Sequence, residues 1–221
     1  MHRSLIVLPA VFAVALGGCV VGGGGFDGKP YSESQRHTYA GFDKVDVSAG
    51  VEVVVYQGAF DVKAETTEGE GFDNLIVEVD GDTLRISRKQ TTMFNFGGGP
   101  RYRVTVSAPA YSDIDASSGS SVDGKGLQLQ DVSISVSSGA SMSLDGTCTS
   151  LDLDMSSGAS FSGEDLRCDA ASVQASSGAS AHAWASKRAK GDASSGASVS
   201  FSGNPAEFER DSSSGGSVSA R

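Results

Sequence analysis

From about residue 110 onward, apolar and polar residues alternate, and the alternation restarts at an almost constant interval. The interval is marked by a pentapeptide: SSGSS at residues 117–121, SSGAS at 137–141, 156–160, 176–180 and 194–198, and SSGGS at 213–217. Its central glycines, Gly119, Gly139, Gly158, Gly178, Gly196 and Gly215, stand 20, 19, 20, 18 and 19 residues apart. Three residues after each glycine come Val122, Met142, Phe161, Ala181, Val199 and Val218. Seven before the later ones come Val132, Leu151, Ala171, Ala189 and Phe208. Five before are Ile134, Leu153 and Val173, with Gly191 and Arg210 breaking the column late. Three before are Val136, Met155, Ala175, Ala193 and Ser212. Between these run polar columns such as Ser133, Asp152, Ser172, Lys190 and Glu209. Period-two alternation inside a period near 20 predicts an all-β solenoid, with one coil per repeat and equal positions stacked about 4.8 Å apart. Small inward residues fit a narrow interior, and the glycine suits a sharp corner. Whether the second serine of each motif points in or out depends on the bend there.

Ahead of the repeats, residues 39–109 also read as strands. Residues 42–47 alternate, 51–56 form a nearly continuous apolar run, and 60–64 and 75–79 follow. An Asp80-Gly81-Asp82 turn before Leu84-Arg85-Ile86-Ser87 predicts a hairpin, and Tyr102-Arg103-Val104-Thr105-Val106 closes the section. The section and residues 110–221 are expected to form one continuous body.

The first 18 residues have a basic start, an apolar stretch from Leu5 to Leu16 and then Gly17-Gly18 before Cys19. That is a secretory signal, too short to remain as a membrane span. Leu-Gly-Gly-Cys resembles a bacterial lipobox, which implies that Cys19 becomes the acylated first residue of the mature chain. The alternative is ordinary secretory cleavage leaving Cys19 as a plain thiol. Several acyl chains on one residue would anchor the protein stably. Val20 rather than Asp follows Cys19, so in a Gram-negative host the resemblance implies the outer membrane. Residues 19–38, with Gly22-Gly23-Gly24-Gly25, are expected to form a flexible tether.

Charge narrows the partners. The chain carries 27 acidic and 17 basic residues, and removing the signal takes away only Arg3, so 27 against 16 leaves a net charge near −11. Nucleic acid is therefore disfavoured as a partner.

The run FDKVDVSAGVEVVVYQG, then VEVDGDTLRIS, then YRVTVSAP and the repeated SGAS units resembles the bacterial head GIN domain family, known as autotransporter adhesin head domains. The resemblance spans roughly residues 39–221, with DGDTLRIS its most specific piece. It implies a right-handed parallel β-helix in a cell-envelope protein and supplies no catalytic motif.

Cys148 and Cys168 each precede a central glycine by 10 residues, so they fall on one position of adjacent coils. That spacing favours a disulfide over two stacked thiols in an oxidising compartment. A zinc site is disfavoured, since beyond Cys19 only these two cysteines, His37 and His182 survive processing. No cofactor is expected. The candidate acids for an enzyme are Asp152 and Asp154 on one outward face, with Asp192 and Asp211 continuing the Asp154 column. They could serve hydrolysis or hold calcium, but a solvated face that keeps a solenoid soluble explains them as well. His182 reads as a surface residue, and Trp184 as packing rather than a sugar platform. Met93-Phe94-Asn95-Phe96 is expected to cap the core rather than bind a partner. After Gly215 only six residues remain, so the last coil is expected to present a β-edge at which self-association or a partner could dock.

These features point to a non-catalytic envelope lipoprotein, a binding or adhesion scaffold with an envelope protein or glycan as partner. The alternatives are a purely structural envelope lipoprotein and, less favoured, a polysaccharide-active β-helix enzyme.

Overall fold

The computed structural model describes residues 29–30, 39–66, 71–89 and 100–221. The signal segment, Cys19, His37 and residues 93–96 lie outside these. Among the described residues the only helical turn is a 3-10 turn at Phe72–Asn74, and the remainder is built on strands. In chain order these are β1 (Lys29–Pro30), β2 (Lys44–Val47), β3 (Glu52–Gln57), β4 (Asp61–Thr66), β5 (Leu75–Asp80), β6 (Thr83–Arg88) and β7 (Tyr102–Ala108). The repeats supply β8 (Asp113–Ala116), β9 (Ser121–Gln128), β10 (Asp131–Val136), β11 (Ser141–Met155), β12 (Ser160–Ser162) and β13 (Leu166–Ala175). They continue through β14 (Ser180–Ala193), β15 (Ser198–Ser202), β16 (Glu207–Ser212) and β17 (Ser217–Ala220).

The strands form a solenoid with two principal parallel stacks. Strands entering the serine–glycine turn stack in the order β6, β2, β8, β10, late β11, β13, late β14, β16. Strands leaving it stack as β7, β3, β9, early β11, β12, early β14, β15, β17. The expected columns are in register: Val122 sits beside Met142, Met142 beside Phe161, Phe161 beside Ala181, Ala181 beside Val199 and Val199 beside Val218, and all are buried. Departures from a strict repeat are absorbed by bulges at Leu144/Gly146 and Cys168/Ala170, away from the turns.

The turn chemistry explains the pentapeptide. Its second and third residues both have positive φ, as in Ser138 (53°) and Gly139 (71°), and the amide of Ala140 closes the turn on Ser137 O at 3.0 Å. The glycine amides then form a ladder: Gly139 donates to Ser157 O and Gly158 to Ser177 O, both at 3.0 Å. The rungs along the stack are thus mainly backbone, with Ser217 Oγ to Ser198 Oγ at 3.4 Å a side-chain addition. The second serines, such as Ser138 and Ser157, are exposed, which settles their direction as outward. A degenerate further copy occurs at Ser48-Ala49-Gly50, where Ala49 and Gly50 have φ of 60° and 71°.

The N-terminal section is continuous with the coils, but its order is not sequential. β2 and β3 are laid between the β6/β7 layer and the β8/β9 layer. β5 then folds antiparallel onto β6 around Gly81 and Asp82, and β4 antiparallel onto β7. β1, inside the segment expected to be a tether, pairs antiparallel with β4, with Lys29 opposite Thr66. Antiparallel pairing thus finishes this end of the stack.

At the opposite end, β16 is largely exposed. The late breaks in the apolar column have a packing reason. A Cβ on Gly191 would lie 2.6 Å from Val218 Cγ1 and 2.9 Å from Phe201 Cε2, so those side chains occupy the space a larger residue would need. Arg210, beside Gly191 in the last coil, is exposed.

Candidate functional site

Strand alternation builds a groove along the entering corner. Val136, Met155, Ala175 and Ala193 turn inward, so the residues just before them turn outward. Register pairing aligns Ser135, Asp154, Gln174, Asp192 and Asp211 into one rail. Two residues farther on, the first serines of the motif, Ser137, Ser156, Ser176, Ser194 and Ser213, form a second rail. Between the rails lies a groove of about 450 Å³ that crosses five consecutive coils. Carboxylates accept hydrogen bonds and serines both donate and accept, so the groove can pair with hydroxyl, amide or ammonium groups repeated along an extended chain.

The structure therefore gathers three of the four candidate acids, Asp154, Asp192 and Asp211. Asp152 shares the outward face but stands in the neighbouring column, between Ser133 and Ser172. Ser135 and Gln174 interrupt the acidic rail, and the described residues contain no group of three or more acidic, histidine or cysteine side chains placed to hold a metal ion. Asp152 and Asp154 both stand in solvent. Paired-carboxylate catalysis instead relies on two contrasting environments.

Carboxyls in unusual environments lie elsewhere. Burial, then the neighbouring Asp115, pushes Asp113 up to about 6. Burial also raises Asp115 and Asp123. Sequence reasoning missed this group because the strand facing β8 is β2, some 70 residues earlier in the chain. The only local signal was the alternation of Asp113, Ile114 and Asp115.

His182 Nδ1 lies 2.6 Å from Ser200 Oγ and 3.9 Å from Glu164 Oε1. The trio has the composition of a hydrolase triad, yet serine and acid meet the same ring nitrogen, so the imidazole cannot pass a proton from one to the other. Trp184 has close neighbours, as expected of a packing residue: Arg167 lies 5.0 Å from its ring centroid, and a Cβ on Gly203 would come within 2.6 Å of the ring. Cys148 and Cys168 are register partners on β11 and β13 with Cα atoms 4.4 Å apart, joined through their sulfurs.

Residues 41–205 match the family described as "Putative auto-transporter adhesin, head GIN domain". No curated protein matches the chain. Among solved structures, the chain is similar to a "putative adhesin" from Bacteroides fragilis NCTC 9343, with 16% identity and a TM-score of 0.64 over 88% of this chain and 96% of that one. It is also similar to a "Putative lipid binding protein" from Parabacteroides distasonis ATCC 8503, with 14% identity and a TM-score of 0.53 over 88% and 96%. At such identities the likeness shows the shared fold, while the family match covers most of the chain: the protein belongs to the head GIN domain family.

Proposed function

We propose that this protein is a non-catalytic, lipid-anchored envelope scaffold that holds an extended partner along its coils, an adhesion-type role. The observation that carries this is the groove, in which one polar rail and one serine rail run parallel across five coils. A binding surface that repeats with the coil suits a partner that is itself repetitive, such as a glycan or an extended protein segment. The family description as an adhesin head agrees with this role and with a place in the envelope or at the cell surface. Anchoring through Cys19 rests on the lipobox resemblance. Among the described residues no helix is long and apolar enough to cross a membrane. The rails of the groove are carboxylates, an amide and hydroxyls, which favours a polar partner over the lipid of the Parabacteroides protein's description.

The test is binding of the fluorescently labelled mature protein to a panel of envelope and host-surface glycans and to intact cells. Asp154→Lys with Asp192→Lys reverses the charge of the rail on two exposed or half-exposed positions without touching the core. Loss of binding in this variant, with the thermal midpoint unchanged, supports the groove. Undiminished binding places the contact elsewhere and removes the groove from the account. Hydrolysis of a panel glycan, abolished by Asp154→Asn, would replace the scaffold role with an enzymatic one.

A further inference from the structure

Among the described residues, the seam between the N-terminal strand section and the repeat coils holds more acidic than basic side chains. Where β2 meets β8, Lys44 lies beside Asp113 and Asp46 beside Asp115, with Asp43 adjoining from the residue before β2. On the far side of β2, the β5–β6 hairpin contributes Asp80, Asp82 and Arg85. On the far side of β8, β10 places the uncharged Ser133 and Ser135 opposite the two aspartates, and its Asp131 is bonded to Ser150 at 2.8 Å. Among the described residues both local cations make their ion pairs with other acids, although the charge of Lys44 also reaches Asp113 and partly offsets the rise in its pKa. Lys44 Nζ lies 2.9 Å from Asp82, and Arg85 lies 3.6 Å from Asp46 and from Asp80.

Asp113 and Asp115 are thus left on one strand face, two residues apart. Two carboxyls that interact at close range are accommodated by holding one proton between them. The elevated affinity of Asp113 for its proton agrees, with burial first and Asp115 second among its causes.

The seam is also where the chain is laid down out of order, because β2 is inserted between β6 and β8. The β2–β8 contact is one of the two pairings, with β3–β9, that join the N-terminal layers to the coils that bear the groove, so weakening it frees one edge of that junction. We infer that the β2–β8 seam is a pH-responsive joint, in which a proton shared by Asp113 and Asp115 holds the N-terminal strand section against the repeat coils. When that proton leaves, negative charge is added beside Asp43 and Asp46, and the joint loosens while the distal coils stay closed. The inference is independent of the groove.

The test is hydrogen exchange read by mass spectrometry on the full mature chain, at about pH 5 and about pH 7.5, with intrinsic rates corrected. Peptides covering 44–47 and 113–116 report the seam, and those covering 151–155 and 171–175 serve as the reference. Seam protection is expected to fall by about tenfold at the higher pH while the reference changes by less than about twofold. Asp113→Asn, which keeps the hydrogen-bonding shape without the charge, is expected to abolish the fall. An equal loss in seam and reference, or a fall that persists in the Asn variant, overturns the joint. Should the variant not fold, carboxyl NMR of the unsubstituted protein decides: titration of Asp113 at the ordinary aspartate value overturns it, and titration near 6 supports it.

Discussion

Gly163 offers a sharp test of how tightly the solenoid interior is fitted. Phe161 is fully buried in a column whose neighbours are Met142 and Ala181. Its ring turns back over Gly163, where an added Cβ would lie 2.5 Å from Cε1 and 2.8 Å from Cζ. The backbone has no easy retreat, because Gly163 N–H donates to His182 O at 2.7 Å across the coils. Gly163 does not have positive φ, so alanine meets no backbone penalty there and the whole cost is steric. Overpacking of this kind costs about 1–3 kcal/mol, and about 2 is expected for Gly163→Ala. Phe161→Leu deletes the two atoms in conflict. In that background Gly163→Ala is expected to cost less than about 0.5 kcal/mol, a coupling of roughly 1.5 kcal/mol. Urea unfolding of the parent, both single variants and the double variant closes the cycle. Equal costs in the two backgrounds would refute the proposed contact.

Three other perturbations probe separate parts of the structure. Gly158→Ala places its Cβ in open space but at φ 70°, so it is expected to destabilise by about 1 kcal/mol through the backbone alone, read by urea unfolding. Replacing both Cys148 and Cys168 by serine removes a cross-link over a sequence separation of 20 and is expected to cost about 3 kcal/mol, and reductant should then have no further effect. Free thiols at Cys148 and Cys168 in the native mature chain, located by alkylation and mass spectrometry, would remove that expectation. For Asp113, a carboxyl raised in the folded state stabilises the fold fully below the ordinary 3.8, progressively less as pH rises, and not at all above about 6. The full effect is about 3 kcal/mol, and solvent screening reduces it to about 1 kcal/mol. Asp113→Asn should flatten stability across this interval and raise it by about 1 kcal/mol at neutral pH, measured by thermal unfolding with pH.

The repeats made the solenoid legible because each coil solves the same packing problem with residues close in sequence. Val122 through Val218 could be stacked on paper from glycine spacing alone, and so could Cys148 on Cys168. The Asp154, Asp192 and Asp211 column was visible for the same reason. What could not be seen was the concavity beside it, which depends on how the serine–glycine turn sits relative to the strand. The placement of β2 between β6 and β8 was equally hidden. Strand patterning specifies which face is buried and leaves the neighbour open, so the acidic seam of Asp46, Asp113 and Asp115 arises from tertiary order. Ser48-Ala49-Gly50 escaped notice as a turn copy because Ala49 takes the left-handed place held elsewhere by serine.

An adhesion scaffold must face the outside of the cell. The most direct measurement is protease accessibility of the folded body on intact cells, with Cys19→Ser as the control. The account predicts digestion from outside, with the cell-bound signal lost in the Cys19→Ser strain. Protection on intact cells, with digestion only after the outer membrane is permeabilised, would place the protein in the periplasm and contradict the adhesion role.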